Sequence, residues 1–471
     1  MKKKNFNFQF PEATDTQGNR RDFLRKVSLG GLGMGLFMKQ NAVAEEINFA
    51  TQKVSRYSAP SDLRITDLRV AYQANTPIIK IYTNQDIYGL GEVRDAGSPT
   101  YALFLKSRIL GKNPCNVEQI FKNIKQFGGH GRMGGGVSGV EMALWDLAGK
   151  AYNVPVYQLL GGKYRDKIRM YADTPRSEDP EVISARIKQR MDIGYTFVKI
   201  DFGLELIRKI PGAVTGGSGW NLANQYEKEW MSYGQTQHAF TGVQITELGL
   251  EKLVEYISRV REITGYDIPI ATDHYGHFDM NNAIRLGRAV EKYRLAWLED
   301  MIPWMYTDQL KEIKQSFETP LLTGEDIYLK EEFIKLCDAN AIDMVHPDLA
   351  SSGGILETKK IGDYAEEKGI AMALHWAGSP VSLMANVHCA AATQNFVALE
   401  HHHVDDPTFE DLATGIPKPI VDKGFIKVPE TPGLGIDIDE KVLKEKLRKG
   451  EKLFAPTPEW DNESSWDRIW S

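Results

Sequence analysis

Three short apolar runs in this chain each end in a carboxylate: Ile-Ala-Thr-Asp273, Ala-Trp-Leu-Glu299-Asp300 and Leu-Leu-Thr-Gly-Glu325-Asp326. Asp273, Glu299 and Glu325 recur at a step of about 26 residues, roughly the length that a strand, a helix and two loops take up in a barrel of eight βα units. If each run is a parallel barrel strand, the three carboxylates stand at the C-terminal strand ends, where such barrels carry out their chemistry. Oxygen donors with no Cys or His among them suit a hard cation, Mg²⁺ ahead of Zn²⁺. Acidic residues after strands also serve as plain helix caps, but three in step favour a ligand set.

Other candidate strand ends carry polar residues of different kinds. Lys199 and Asp201 lie two positions apart and so share one face of a strand. His274, Tyr275 and His277 follow Asp273, while His346 with Asp348, then His375, then Glu400 close the later runs. A cation held by three carboxylates can chelate a substrate carboxylate and stabilise an enediolate. That charge forms when a base removes the weakly acidic proton beside the carboxylate, and His375 is the expected base, oriented by Asp348 on the adjacent strand. Lys199 would act on the opposite face of the substrate or neutralise its charge. Taken singly, His375 could be a structural histidine and Lys199–Asp201 an internal ion pair; their joint placement at strand ends points to a site.

These residues need a scaffold. From Ile168 the chain alternates short apolar runs with helical spacing, and strands are expected at 168–173, 196–201, 268–273, 295–299, 320–325, 342–347, 370–375 and 396–400. Eight strands close a barrel, so the fold class is α/β, a modified TIM (β/α) barrel over residues 166–400. The interval from Lys199 to Asp273 is nearly three times the usual step, which marks residues 203–244 as an insertion rich in Gly, Trp and Tyr. A lid-like role is expected for it, with an oligomer contact as the alternative. Residues 61–165 read as an α+β N-terminal capping domain, with a hairpin through Pro77–Tyr82 and Ile87–Glu92 and helical spacing over 101–127 and 137–152. Residues 401–471 are too few for another domain and are expected to complete the cap.

The chain has 471 residues, 42% apolar and 25% charged, with a formal charge of −6. That composition suits a soluble globular enzyme, and no sustained basic stripe suggests nucleic acid. Cys115, Cys337 and Cys389 are too scattered for a disulfide framework or a zinc site and read as small apolar residues. Residues 1–44 combine Lys2-Lys3-Lys4, the pair Arg20-Arg21, a weakly apolar run over Val27–Met38 and Ala42-Val43-Ala44. Together these resemble a twin-arginine export signal, so a periplasmic or otherwise exported location is expected, with 45–60 as a linker. The apolar run is too short to span a bilayer as a mature helix, and no membrane association is expected after signal removal.

From about Ile65 to Asp437 the sequence resembles the mandelate racemase branch of the enolase superfamily. The likeness rests on Gly136-Val-Ser-Gly-Val-Glu-Met-Ala-Leu-Trp-Asp-Leu-Ala-Gly-Lys150, on Val154-Pro-Val-Tyr-Gln-Leu-Leu-Gly-Gly162, on the acidic strand ends, on Pro347-Asp348-Leu with Gly353-Gly354-Ile355, and on His375. The superfamily is known for a Lys or His base working with Mg²⁺. Within the branch, the pattern is similar to sugar-acid dehydratases of the galactonate and mannonate type. That resemblance implies Mg²⁺ on Asp273, Glu299 and Glu325, His375 with Asp348 as base or acid, and Glu400 against the substrate. It further implies that Asn75, His130 and Arg132 of the cap close over the ligand; Asp201 and His277, which do not follow from the resemblance, are candidate substrate contacts by their place at strand ends. In one departure, relatives carry a His two residues after the strand-three Asp, where this chain has Tyr275; Tyr275 could serve as general acid, or His277 could reach in. In another, Asp201 replaces the second of the paired lysines of the racemases.

The expectation is therefore an exported, Mg²⁺-dependent lyase that dehydrates a small sugar acid to a 2-keto-3-deoxy acid, working as a homo-oligomer. The alternatives are a cycloisomerase of an anhydro-sugar acid or a racemase or epimerase through the same enediolate. A non-catalytic sugar-acid binding protein is the alternative from another class.

Overall fold

The computed structural model describes residues 62–216 and 243–462, which belong to one compact unit. The export-signal candidate at 1–44 and the linker at 45–60 lie outside the described residues, as does the middle of the 203–244 insertion.

The first layer is an antiparallel meander of β1 (Ile65–Gln73), β2 (Thr76–Thr83) and β3 (Tyr88–Glu92). Helices α1 (Val117–Ile124) and α2 (Gly135–Tyr152) cover it. Contact between α2 and β3 is close enough to require glycine. A Cβ on Gly89 would stand 2.0 Å from the Ala143 carbonyl oxygen, and one on Gly91 would stand 1.9 Å from that of Gly139. The apolar residues Val140, Leu144 and Leu147 are fully buried there, each contributing roughly 2 kcal/mol. On another side of α2, Glu141 accepts from the backbone N–H groups of Ile355 (2.6 Å) and Leu356 (3.0 Å). These are orphan donors at the start of a barrel helix, so the cap docks on the barrel through a buried carboxylate. Burial pushes that carboxyl up to about 8.

The second layer is a closed ring of eight parallel strands: β4 (Lys167–Thr174), β5 (Val198–Asp201), β6 (Ile270–Asp273), β7 (Leu298–Glu299), β8 (Leu321–Thr323), β9 (Met344–Val345), β10 (Ala371–Leu374) and β11 (Phe396–His401). Pairing of Glu400 with Tyr171 closes β11 onto β4. The ring's lumen is filled by Tyr171, Phe197, Ala271, Trp297, Leu322, Met344, Ala373 and Ala398, so the barrel is a packed core and not a pore. The ladder is shorter than the apolar runs suggest. β8 stops at Thr323 because Gly324, at φ 147°, turns the chain, and Glu325 therefore projects from just beyond the strand.

The insertion leaves the barrel late. Phe202, Leu204, Leu206, Ile207 and Ala213 are buried in the main core, and the strands Val214–Gly216 and Val243–Ile245 then pair antiparallel. After β11 the chain first adds Phe425–Lys427 antiparallel to β4, then turns back to the cap. Asp437 receives the Tyr88 hydroxyl at 2.5 Å, Glu440 pairs with Lys80 at 2.7 Å, and Asp461 pairs with Lys106 at 2.6 Å.

Candidate active site

The strand register lines up the acidic residues at one end of the barrel. Asp201 pairs with Asp273 and Asp273 with Glu299, while Glu299 pairs with Leu322, three residues before Glu325. One carboxylate oxygen from each of Asp273, Glu299 and Glu325 falls within 4.8 Å of the others. Like charges at that spacing are costly in a buried site, and they are buried: desolvation, then Glu299 and Glu325 nearby, hold the Asp273 carboxyl well above the usual carboxylate range. A hard divalent cation is the partner that such an all-oxygen set fits.

Above the three carboxylates lies a cavity of about 530 Å³ lined by residues of both layers, including Asn75, Arg94 and Arg132 from the cap and Asp173, Lys199, Asp201, Tyr275, Asp300, His375 and His402 from the barrel. Its carboxylates outnumber its arginine and lysine side chains. An anionic ligand would therefore enter readily only with a cation in place.

On the opposite wall from β6, His375 has its Nδ1 2.6 Å from Asp348 Oδ2 and its Nε2 3.2 Å from Glu325 Oε2. Asp348 is fixed in turn: its Oδ1 accepts from the Ala350 N–H at 2.6 Å, capping the short turn that follows. Burial pulls the imidazole's affinity for a proton down, but Glu325, Glu400 and the Asp348 hydrogen bond outweigh it and raise His375 to about 9. Lys199 is buried, with Nζ 2.6 Å from Glu400, 3.2 Å from Glu299 and 3.5 Å from Asp273. Its partners are these three carboxylates, so the alternative of a simple Lys199–Asp201 pair gives way to a shared network. Asp201 instead bonds the Tyr275 hydroxyl.

The structure brings Asn75, Arg132, Lys199, Asp201, Asp273, Tyr275, Glu325 and His375 to this one cavity. Three of the expected substrate contacts are placed elsewhere. His130 accepts the Tyr328 N–H at 3.1 Å, lies 4.6 Å from the Trp304 ring and lines a separate pocket of about 510 Å³. His277 is turned away, with its Nδ1 3.1 Å from Glu205; the left-handed turn at Tyr275 (φ 57°) and Gly276 (φ 67°) gives the cavity wall to Tyr275. Glu400 is fully buried beneath the cavity, held by Lys199 and by the Tyr171 hydroxyl at 2.8 Å.

Arg94 and His402 are two of several cavity residues without a signal of this kind in the sequence. Arg94, 1% exposed at its side chain, follows β3 of the cap and reaches Glu325 Oε1 at 3.0 Å, Ser351 Oγ at 2.7 Å and Asp348 Oδ2 at 3.7 Å. His402, within what reads as a low-complexity His401-His402-His403 run, has Nδ1 3.2 Å from Asp173 and Nε2 3.2 Å from Glu400. With His375 and Glu400 it forms a second trio whose donor atoms lie within 4.8 Å.

Both layers of this fold match family models. That of the mandelate racemase / muconate lactonizing enzyme N-terminal domain matches residues 47–161, and that of the enolase C-terminal domain-like family matches residues 183–442. The chain belongs to the enolase superfamily, in the mandelate racemase / muconate lactonizing enzyme branch. Among its relatives is a D-xylonate dehydratase of Haloferax volcanii, 31% identical over 405 residues that cover 83% of this chain and 91% of the relative. A D-galactonate dehydratase family member from Pantoea ananatis is also 31% identical, over 81% of this chain and 93% of its own length. A mandelate racemase/muconate lactonizing enzyme-like protein of Rubrobacter xylanophilus superposes with a TM-score of 0.74 at 30% identity, covering 84% of this chain and all of the other.

Proposed function

We propose that this chain is a Mg²⁺-dependent acid-sugar dehydratase acting through an enediolate. The observation that carries the reading is the meeting, at one cavity, of the Asp273–Glu299–Glu325 set and the His375–Asp348 dyad, with His375 beside Glu325 and across from Asp273. Bound there, Mg²⁺ would offset the carboxylates, take the acid group of the substrate and stabilise charge developing on it. The protein's own residues do the rest. Asp348 holds Nδ1 of His375 and leaves Nε2 toward the cavity; with Mg²⁺ on Glu325 the pull that favours the imidazolium would be relieved, freeing Nε2 as the base for the proton at C2. Lys199 adds positive charge at the cavity floor, and Asn75, Arg132 and Asp201 offer polar groups to a polyol chain. Loss of the C3 hydroxyl as water from the enediolate then gives an enol that becomes the 2-keto-3-deoxy acid.

The test is a panel of five- and six-carbon aldonic acids, including D-xylonate and D-galactonate, incubated with Mg²⁺ in D₂O. Semicarbazide detects a 2-keto product and NMR detects deuterium at C2. A keto product that disappears with EDTA supports the reading. Deuterium exchange without any keto product favours a racemase or epimerase, and a ring-opened product from an anhydro-sugar acid favours a cycloisomerase. The observation behind that second reading is Tyr275, bonded to Asp201 where a histidine acid is usual.

We further propose export by the twin-arginine route, supported by Arg20-Arg21 and Ala42-Val43-Ala44. Cell fractionation tests it: an Arg20→Lys, Arg21→Lys chain retained in the cytoplasm supports export by this route, and unchanged distribution contradicts it.

A further inference from the structure

We infer that His402 is the acid that protonates the departing hydroxyl, resupplied from His375 across the buried carboxylate of Glu400. Five side chains alternate acid and base along one line: Asp348, His375, Glu400, His402 and Asp173. His375 Nε2 is 3.7 Å from Glu400 Oε2, and His402 Nε2 is 3.2 Å from Glu400 Oε1. The imidazole rings stand 5.7 Å apart, and each keeps its outer nitrogen on an aspartate, at 2.6 Å for Asp348 and 3.2 Å for Asp173. Both histidines and Asp173 line the cavity, whereas Glu400 is fully buried below it. A proton moving along this line therefore passes beneath the ligand at Glu400.

Glu400 is held to serve as such a bridge. Lys199 Nζ at 2.6 Å and the Tyr171 hydroxyl at 2.8 Å fix its two oxygens. Burial raises its carboxyl, but Lys199, His402 and His375 overcome that and keep it strongly acidic, so it passes a proton on without retaining it. His402 is correspondingly biased toward the imidazolium: burial opposes the charge, and Asp173 and Glu400 more than compensate. Tyr275, another proton donor on the cavity wall, is a poorer acid: burial, then Asp201 and Asp273 nearby, hold its hydroxyl well above the usual phenol range.

The inference rests on the enediolate reading above. His375 Nε2 takes the C2 proton, and the C–H electron pair passes into the enediolate. The pair then returns to form the C2–C3 double bond as the C3–O bond breaks. The leaving oxygen takes the proton from His402 Nδ1 and departs as water. Left neutral, His402 shifts its remaining proton from Nε2 to Nδ1 by exchange with water at the cavity, and the proton passed from His375 through Glu400 then fills Nε2. Both rings are restored, and the enol tautomerises to the keto acid.

The experiment compares wild type, His402→Gln and Asp173→Asn in D₂O, with Mg²⁺, on whichever aldonic acid of the panel the wild type dehydrates. Both C2 deuteration of recovered substrate and 2-keto product are followed. Loss of one acid catalyst costs typically 10²–10⁴-fold, so His402→Gln is expected to lose elimination by at least about 100-fold while C2 exchange remains. Asp173→Asn should show the same split to a smaller extent, which keeps the test open if the first variant melts early. Exchange and elimination falling together in both variants, or elimination near the wild-type rate, overturns the role. A wild type that neither exchanges nor eliminates on any acid of the panel removes the enediolate reading and this inference with it.

Discussion

Arg94 of the cap closes a fork on Glu325 of the barrel: Nη2 lies 3.0 Å from Oε1, and Nη1 donates to the backbone carbonyl of the same residue. The same guanidinium reaches Asp348, so one cap side chain contacts both the cation set and the dyad. Removing one partner of a buried ion pair costs roughly 3–5 kcal/mol. Arg94→Ala is expected to destabilise the protein on that scale and to weaken Mg²⁺ binding. Arg94→Lys returns the charge without the fork and should recover only part of the loss. Urea unfolding with and without Mg²⁺ measures both; an alanine variant as stable as wild type would contradict the pairing.

Mg²⁺ should stabilise the fold measurably, since it binds a site assembled only in the folded chain. At a hundredfold excess over the dissociation constant the gain is about 2.7 kcal/mol. Glu299→Gln should lose that increment while still folding. Thermal melting across a Mg²⁺ titration checks this, and an increment retained in the variant would remove Glu299 from the ligand set.

His375→Asn keeps a polar group near Asp348 but cannot act as a base. Turnover and C2 exchange should both fall by roughly 10²–10⁴-fold, with Mg²⁺ binding by calorimetry unchanged. Unchanged exchange would assign the base elsewhere.

Glu92, fully buried, offers a test by pH. The backbone N–H of Ser379 donates to it at 3.0 Å, and the Ser382 hydroxyl at 2.8 Å. Burial outweighs these bonds and raises its carboxyl from 4.5 to about 7. The folded state thus retains a proton that the unfolded chain releases above pH 4.5, so stability falls as pH rises from about 4.5 to about 7 and is level beyond. Glu92→Gln removes that loss. Relative to wild type the variant should gain up to about 3 kcal/mol between pH 4 and pH 8, read from urea unfolding at both. A difference independent of pH would show that Glu92 ionises normally.

The glycine contact between cap sheet and helix can be probed directly. Gly91→Ala would set a methyl 1.9 Å from the Gly139 carbonyl oxygen, and the forced separation should cost about 3 kcal/mol. An alanine variant within about 0.5 kcal/mol of wild type would mean that the helix yields easily.

Much of this architecture is legible in the chain because periodicity carries it. Asp273, Glu299 and Glu325 end apolar runs at an even step, and the barrel register turns that step into a cluster. The spacing also shows Asp348 and His375 on adjacent runs, which the structure joins through a bridge between their backbones. What periodicity cannot carry is contact between layers. Arg94 follows a cap strand and meets Glu325 only after docking, and nothing in its neighbours marks it. His402 lies two residues beyond Glu400 in β11 and reaches the cavity, while His401 is buried with its Nδ1 on Tyr195. His277 looks as available as Tyr275 until the two left-handed residues between Asp273 and His277 are known.

The return of the C-terminal segment to the cap has a consequence for the order of synthesis. Tyr88 and Lys80 emerge early from the ribosome, but Asp437 and Glu440, which they bind, are made 349 and 360 residues later. The first sheet to be translated is therefore among the last to be completed. The face of that sheet turned away from α1 and α2 stays uncovered while the whole barrel is made, and exposed surface in a half-made chain invites aggregation. Slow translation would prolong that exposure, and chaperone demand should track the time taken to reach residue 440 more closely than the time taken to finish the cap strands.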